Sequence, residues 1–87
     1  MSKIDSEMEI TLVWESRLGL NGTPLFFADF LSPIGRIITF VGHPISILAP
    51  EWRVSSSRFG LLAKGSEPCI YKCKLAVQKY VEEHDLL

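Results

Sequence analysis

The chemistry this 87-residue chain could carry rests on a handful of side chains. Cys69 and Cys73 are its two cysteines and lie four apart, a spacing that puts both thiols on one face of a helix. Thiols so placed could exchange with a disulfide or supply half of a zinc site. An intrahelical i,i+4 bridge strains helix and disulfide alike, and a cysteine on an apolar stripe usually behaves as a small buried hydrophobe. A zinc site needs two further ligands. His84, near the same stripe, and His43, in a turn before Pro44, complete no zinc spacing. No metal or cofactor is therefore expected. Asp29 stands in the most apolar stretch of the chain, where a carboxylate could act as a general base or be held by a cation. Arg36, across the Pro33 turn, is the natural partner, and ion pairing is the reading that burial demands. No serine or cysteine sits in a nucleophile elbow and no glycine-rich loop suits a phosphate. The sequence thus assigns no catalytic residue, and an enzyme is not expected.

The elements that would position these groups read as strands followed by one helix. Residues 1–7 form a polar lead-in, and residues 8–87 form a single domain. Met8, Ile10, Leu12 and Trp14 alternate with Glu9, Thr11, Val13 and Glu15, the period of a half-buried strand. Asn21-Gly22 is a hairpin signal. Strands are expected at Leu25–Leu31 and, after the Ser32-Pro33-Ile34-Gly35 turn, at Arg36–Val41. A short strand at Ile45–Leu48 lies between prolines, as an edge or corner would. Trp52–Ser56 and Phe59–Ala63 suggest a last hairpin, so the strands span about 8–63.

Ser66 reads as the N-cap of a helix over about 67–84, with Glu67 and Pro68 in its first turn. Its apolar stripe would be Cys69, Cys73, Ala76, Val77, Tyr80 and His84, flanked by Ile70 and Val81, while Lys72, Gln78, Lys79 and Glu82 face away. The expected fold is α+β: a small antiparallel sheet of 4–6 strands, partly barrel-like or open, packed on one C-terminal amphipathic helix.

Composition narrows the function classes. The chain is 47% hydrophobic and 22% charged, with a formal charge of −1, so disorder and a global field for nucleic acid are both disfavoured. Acidic residues dominate up to Glu15. Arg17, Arg36, Arg53, Arg58 and Lys64 outnumber Asp29 and Glu51 in the middle. Pro24–Pro50 is apolar but is broken by Asp29, Arg36 and its glycines and prolines, far short of the ~20 apolar residues of a spanning helix. No signal peptide is visible, so a cytoplasmic protein without a membrane partner is expected.

The apolar residues exceed what one helix can cover. Phe26, Ala28 and Phe30 lie opposite Leu25, Phe27 and Leu31, and Ile38 and Phe40 lie opposite Ile37 and Val41, so both faces of the middle strands are apolar. Each large side chain left wet forgoes roughly 1.5–3 kcal/mol. The sheet could curl into a partly closed barrel, pair with a second copy as a homodimer, or hold the patch for a different protein. The helix adds Tyr71 and Leu75 on its polar side, and its lysines precede its acids, against the macrodipole.

In size and layout the chain resembles small phage and mobile-element accessory proteins, anti-CRISPR inhibitors among them. The resemblance is carried by the opening Glu9-Ile10-Thr11-Leu12-Val13-Trp14-Glu15 and the closing Ala76-Val77-Gln78-Lys79-Tyr80-Val81-Glu82-Glu83-His84. It implies a non-enzymatic inhibitor that blocks a host defence complex by occluding a surface. The partner-binding candidates are Tyr71, Leu75, Lys72 and Lys79 on the helix, with Phe26 and Phe30 as the sheet alternative. A second reading is a small nucleic-acid binder using a basic sheet face, with Arg36, Arg53, Arg58, Lys64 and Trp52.

Overall fold

Runs of β-branched and aromatic residues fold back on one another at turns where glycine takes backbone angles that other residues avoid. The computed structural model describes residues 10–19, 22–43 and 48–86. They form β1 (Glu15–Leu18), β2 (Pro24–Ser32), β3 (Gly35–Gly42), β4 (Glu51–Ser56), β5 (Gly60–Ser66) and the helix α1 (Ile70–Glu83). The strands lie in the order β1-β2-β3-β4-β5, every neighbouring pair antiparallel. The expected α+β layout is present, but the sheet is an open meander. The partly closed barrel is corrected, because β1 and β5 are edges that do not meet.

Two turns show why the register is fixed. Ser32 pairs with Gly35 around Pro33-Ile34, and its hydroxyl accepts from Ile34 N and donates to Gly35 O, each at 3.1 Å. Gly35 has φ 107, a region glycine enters without steric cost. The Ser56 hydroxyl accepts from Arg58 N at 3.0 Å and donates to Ile34 O at 2.9 Å, so the β4–β5 turn is tied to the β2–β3 turn.

Strand boundaries differ from expectation at both ends. The first strand is Glu15–Leu18, not a run from residue 8. Residues 10–14 keep the expected alternation, with Leu12 and Trp14 packed on the core and Val13 exposed, yet they join no ladder. Gly22 has φ 82, but the β1–β2 loop spans 19–23 rather than two residues; Asn21 lies outside the described residues. So do residues 45–47 of the fourth expected strand, and Leu48 sits in a bend. Residues 1–7 are likewise outside the described residues.

One face of the sheet meets the helix. Ile37, Thr39 and Val41 of β3 and Val54 of β4 are buried there, under Cys73, Val77 and Val81, which recur every four residues along α1, and under Leu86. Each aliphatic side chain so buried is worth roughly 1.5–3 kcal/mol. A bulge between β4 and β5 leaves Leu62 out of the pairing and lets it pack on this core, while Leu61 remains exposed. Trp52 lies over Gly65, where an added Cβ would meet its indole at 2.7 Å. The molecule is only 19 Å deep in its thinnest direction, against 38 and 35 Å, which is room for a sheet and one helix layer.

The helix starts later than expected. Its N-cap is Cys69, extended at φ −153 and making no side-chain cap bond. Ser66 is the last residue of β5, three positions before the N-cap, and its hydroxyl donates to Pro50 O at 2.9 Å, so it belongs to the sheet rather than to the helix start. The Cys73 thiol at 3.5 Å and Glu67 N at 3.3 Å reach the same carbonyl, joining the start of β4 to the start of α1. The helix ends in a Schellman motif: Leu86 N donates to Val81 O at 3.0 Å and Asp85 N to Glu82 O at 3.3 Å. Asp85 takes the left-handed position at φ 54, and the two residues that usually touch in this motif, Val81 and Leu86, are both buried.

Candidate interaction surface

The face of the sheet away from α1 is covered by no described segment. Directly paired residues share a face, so the ladders lay out its rows. Level with Leu25 stand Arg17, Leu25, Gly42, Glu51 and Ser66, from β1 to β5. Level with Phe27 stand Glu15, Phe27, Phe40, Arg53 and Lys64. The next row holds Asp29, Ile38, Ser55 and Leu61, and beyond it lie Leu31 and Arg36. The centre is therefore apolar: Phe27 and Phe40 meet at 5.5 Å between ring centroids, flanked by Leu25, by Ile38 (45% exposed) and by Leu31 (79% exposed). A hollow of about 290 Å³ opens here, lined by Val13, Glu15, Arg17, Phe27, Asp29 and Ile38 with the Ala28 backbone strand.

Charges ring this strip in pairs. Arg36 holds Asp29 with its Nε and Nη2 both 3.0 Å from Oδ2, the pairing expected from sequence. Asp29 is not buried, however, since its side chain is 52% exposed at the face. Arg17 stands 3.8 Å from Glu15 and lies over the Phe27 ring at 5.3 Å, and Arg53 stands 3.7 Å from Glu51. Lys64 faces Arg53 directly across the β4–β5 ladder, two like charges with no described carboxylate within 4.0 Å of Lys64.

The sheet candidates Phe26 and Phe30 point the other way. Both pack against the core under the helix, so the apolar strip on the uncovered face belongs to Phe27, Phe40, Leu25, Ile38 and Leu31 instead. With both faces equally apolar, periodicity separated the two sets of side chains without showing which one the helix takes. Of the basic-face residues, Arg36, Arg53 and Lys64 share the uncovered face, while Arg58 is in the β4–β5 turn and Trp52 is on the helix side. The five are not brought together.

On α1, Tyr71, Lys72 and Lys79 are exposed, and Lys79 reaches Glu83 at 4.0 Å. Leu75 is half-buried rather than bare. Gln78, expected to face water, is buried, and its Oε1 accepts from Thr11 N at 2.6 Å and Leu12 N at 3.4 Å. The segment from Ile10 to Trp14 thus covers the flank of the helix that its polar residues suggested was solvated. Lys74 is drawn into the same seam, its ammonium 4.0 Å from the Phe26 ring centroid and 5.7 Å from that of Trp14. Loss of water there lowers its pKa below the ordinary 10.5, even though both ring faces attract the cation. The indole N–H groups of Trp14 and Trp52 are buried without a hydrogen-bond partner.

The cysteines part company. Cys73 is buried in the core and burial raises its thiol pKa, while Cys69 is exposed, and the two are not bonded. His84 is exposed and stacks on Tyr80 at 4.0 Å, so neither Cys69 nor His84 belongs to the buried stripe. Among the described residues no three of His, Cys, Asp and Glu come together to hold a cation. No described helix is long and apolar enough to cross a membrane. No family model, curated protein or solved structure matches the chain.

Proposed function

We propose that this chain is a non-catalytic protein-binding module whose working surface is the helix-free face of the sheet. The observation that carries the reading is the apolar strip of Leu25, Phe27, Leu31, Ile38 and Phe40, continuous over two central strands and ringed by ion pairs. An apolar centre with a polar rim is the anatomy of a protein interface. Among the described residues the perturbed ionisable groups, Cys73 and Lys74, lie on the opposite side, each displaced toward its neutral form by burial, which suits packing rather than turnover. In the inhibitor reading that the layout resemblance implies, this face would act by occlusion.

Nucleic acid is less well supported. Arg17, Arg36 and Arg53 on this face each have a carboxylate within 4.0 Å, which leaves Lys64 as the cation best placed to meet a phosphate. A salt titration separates the two classes, because phosphate contacts make affinity fall steeply with ionic strength.

A photoreactive amino acid placed at Ile38, and in a parallel sample at Tyr71, tests the face in the cells that express the chain. The expected result is a polypeptide adduct from Ile38. Adducts from Tyr71 alone, or to nucleic acid alone, would return the function to the helix face or to the second reading.

A further inference from the structure

We infer that the occupant of the helix-free face is a second copy of this chain, packed sheet to sheet about a two-fold axis that runs along the strands between β2 and β3. This rests on the reading above, that the face binds protein.

The charge order of the face is what selects the partner. On β1, Arg17 lies level with Leu25 and Glu15 level with Phe27. On β4, Glu51 lies level with Leu25 and Arg53 level with Phe27. The cation and anion are thus reversed between two strands that flank the apolar pair symmetrically. A two-fold axis between β2 and β3 lays β1 over β4 of the second copy and β2 over its β3. Arg17 then faces Glu51 of the second copy, and Glu15 faces its Arg53. Phe27 faces its Phe40. Every one of these meetings occurs twice, as an isologous interface requires.

Geometry and area agree with this arrangement. Aligned sheets pack about 10 Å apart and about 30° off parallel, and arginine and glutamate are long enough to span the offset this imposes on outer strands. Four strands about 4.8 Å apart, seven residues deep at about 3.4 Å each, have a footprint on the order of 400 Å² before side-chain relief. Side chains standing off the sheet raise the accessible surface buried above this flat footprint, toward the about 800 Å² per partner of a standard interface. The facing of Arg53 and Lys64 also finds its counter-charge, since Glu15 of the second copy arrives beside both. The helices end up on the outside of the pair, and each still presents Tyr71 and Lys72.

Light scattering and sedimentation on the purified chain, with two charge reversals, test the inference. Glu15, Arg17, Glu51 and Arg53 all have side chains at least 39% exposed, so reversals leave the fold intact. The wild type is expected at twice the chain mass. E15R and R53E should each weaken the dimer by about tenfold or more through like-charge contact. Mixed together they should form a heterodimer, and the double variant should regain wild-type association. A wild type that stays monomeric up to about 100 μM, or a dimer that neither reversal weakens, overturns the inference. A monomer that still gives a polypeptide adduct at Ile38 overturns the second copy alone and keeps the protein-binding face. A dimer with no adduct at Ile38 overturns both.

Discussion

The side-chain carbonyl of Gln78 accepts a hydrogen bond from Thr11 N at 2.6 Å, across 67 positions of sequence. It joins the first described segment to the last helix and brings Leu12 and Trp14 down onto the core. Gln78 is 2% exposed, so this amide belongs to the interior.

Gln78→Leu keeps the side-chain volume and removes the acceptor. Thr11 N and Leu12 N then lose their partner, at a cost of about 1–3 kcal/mol. Urea unfolding should show that loss, and Trp14 fluorescence should shift to the red as the segment lifts. An unchanged midpoint and spectrum would mean the segment is held by its apolar side chains alone.

That contact also marks the limit of sequence reading. Period-two alternation in residues 10–14 reported which side chains face the core, and it did so correctly. It could not report the hydrogen-bond partner, which is a helix side chain rather than a strand. Glutamine on a helix looks solvated until a distant backbone needs its carbonyl. Ser66 was a sound cap by propensity, but it is the last residue of β5, paired with Glu51 of β4, and the helix starts only after Cys69. The Asp29–Arg36 pair was legible because a short turn fixes its partners. The helix-free face was half legible: two apolar sets were evident, and only the helix position decides between them.

Lys74→Met keeps the stem packed against Phe26 and Trp14 and removes a partly desolvated charge. The folded-state pKa lies below 10.5, so over the interval between the two values the unfolded chain binds more protons. The penalty from Lys74 is therefore full at neutral pH, and stability rises through that interval as the folded-state amine gives up its proton. The variant should match or exceed the wild type at pH 7, by under about 1 kcal/mol, and should lack the rise on the approach to pH 10.5. A clear loss at pH 7 would show that the ring–cation attraction outweighs desolvation.

Asp85→Gly relieves two costs at the helix end. The position has φ 54, which glycine adopts freely, and the carboxylate stands at the negative end of the helix dipole. A gain of up to about 1 kcal/mol is expected in thermal or urea unfolding. Destabilisation would point to a role for the carboxylate itself.

Every strand in the meander pairs only with its neighbours in sequence, so hairpins can form in turn as the chain leaves the ribosome. The core cannot close on that schedule. Ile37, Val41 and Val54 wait for Cys73, Val77 and Val81, and Trp14 waits for the helix that carries Gln78. Until almost the whole chain has emerged, both sheet faces are wet, including the one that no described segment covers. The nascent sheet is then sticky on two sides, and a neighbouring copy made on the same message would be the nearest surface to meet it.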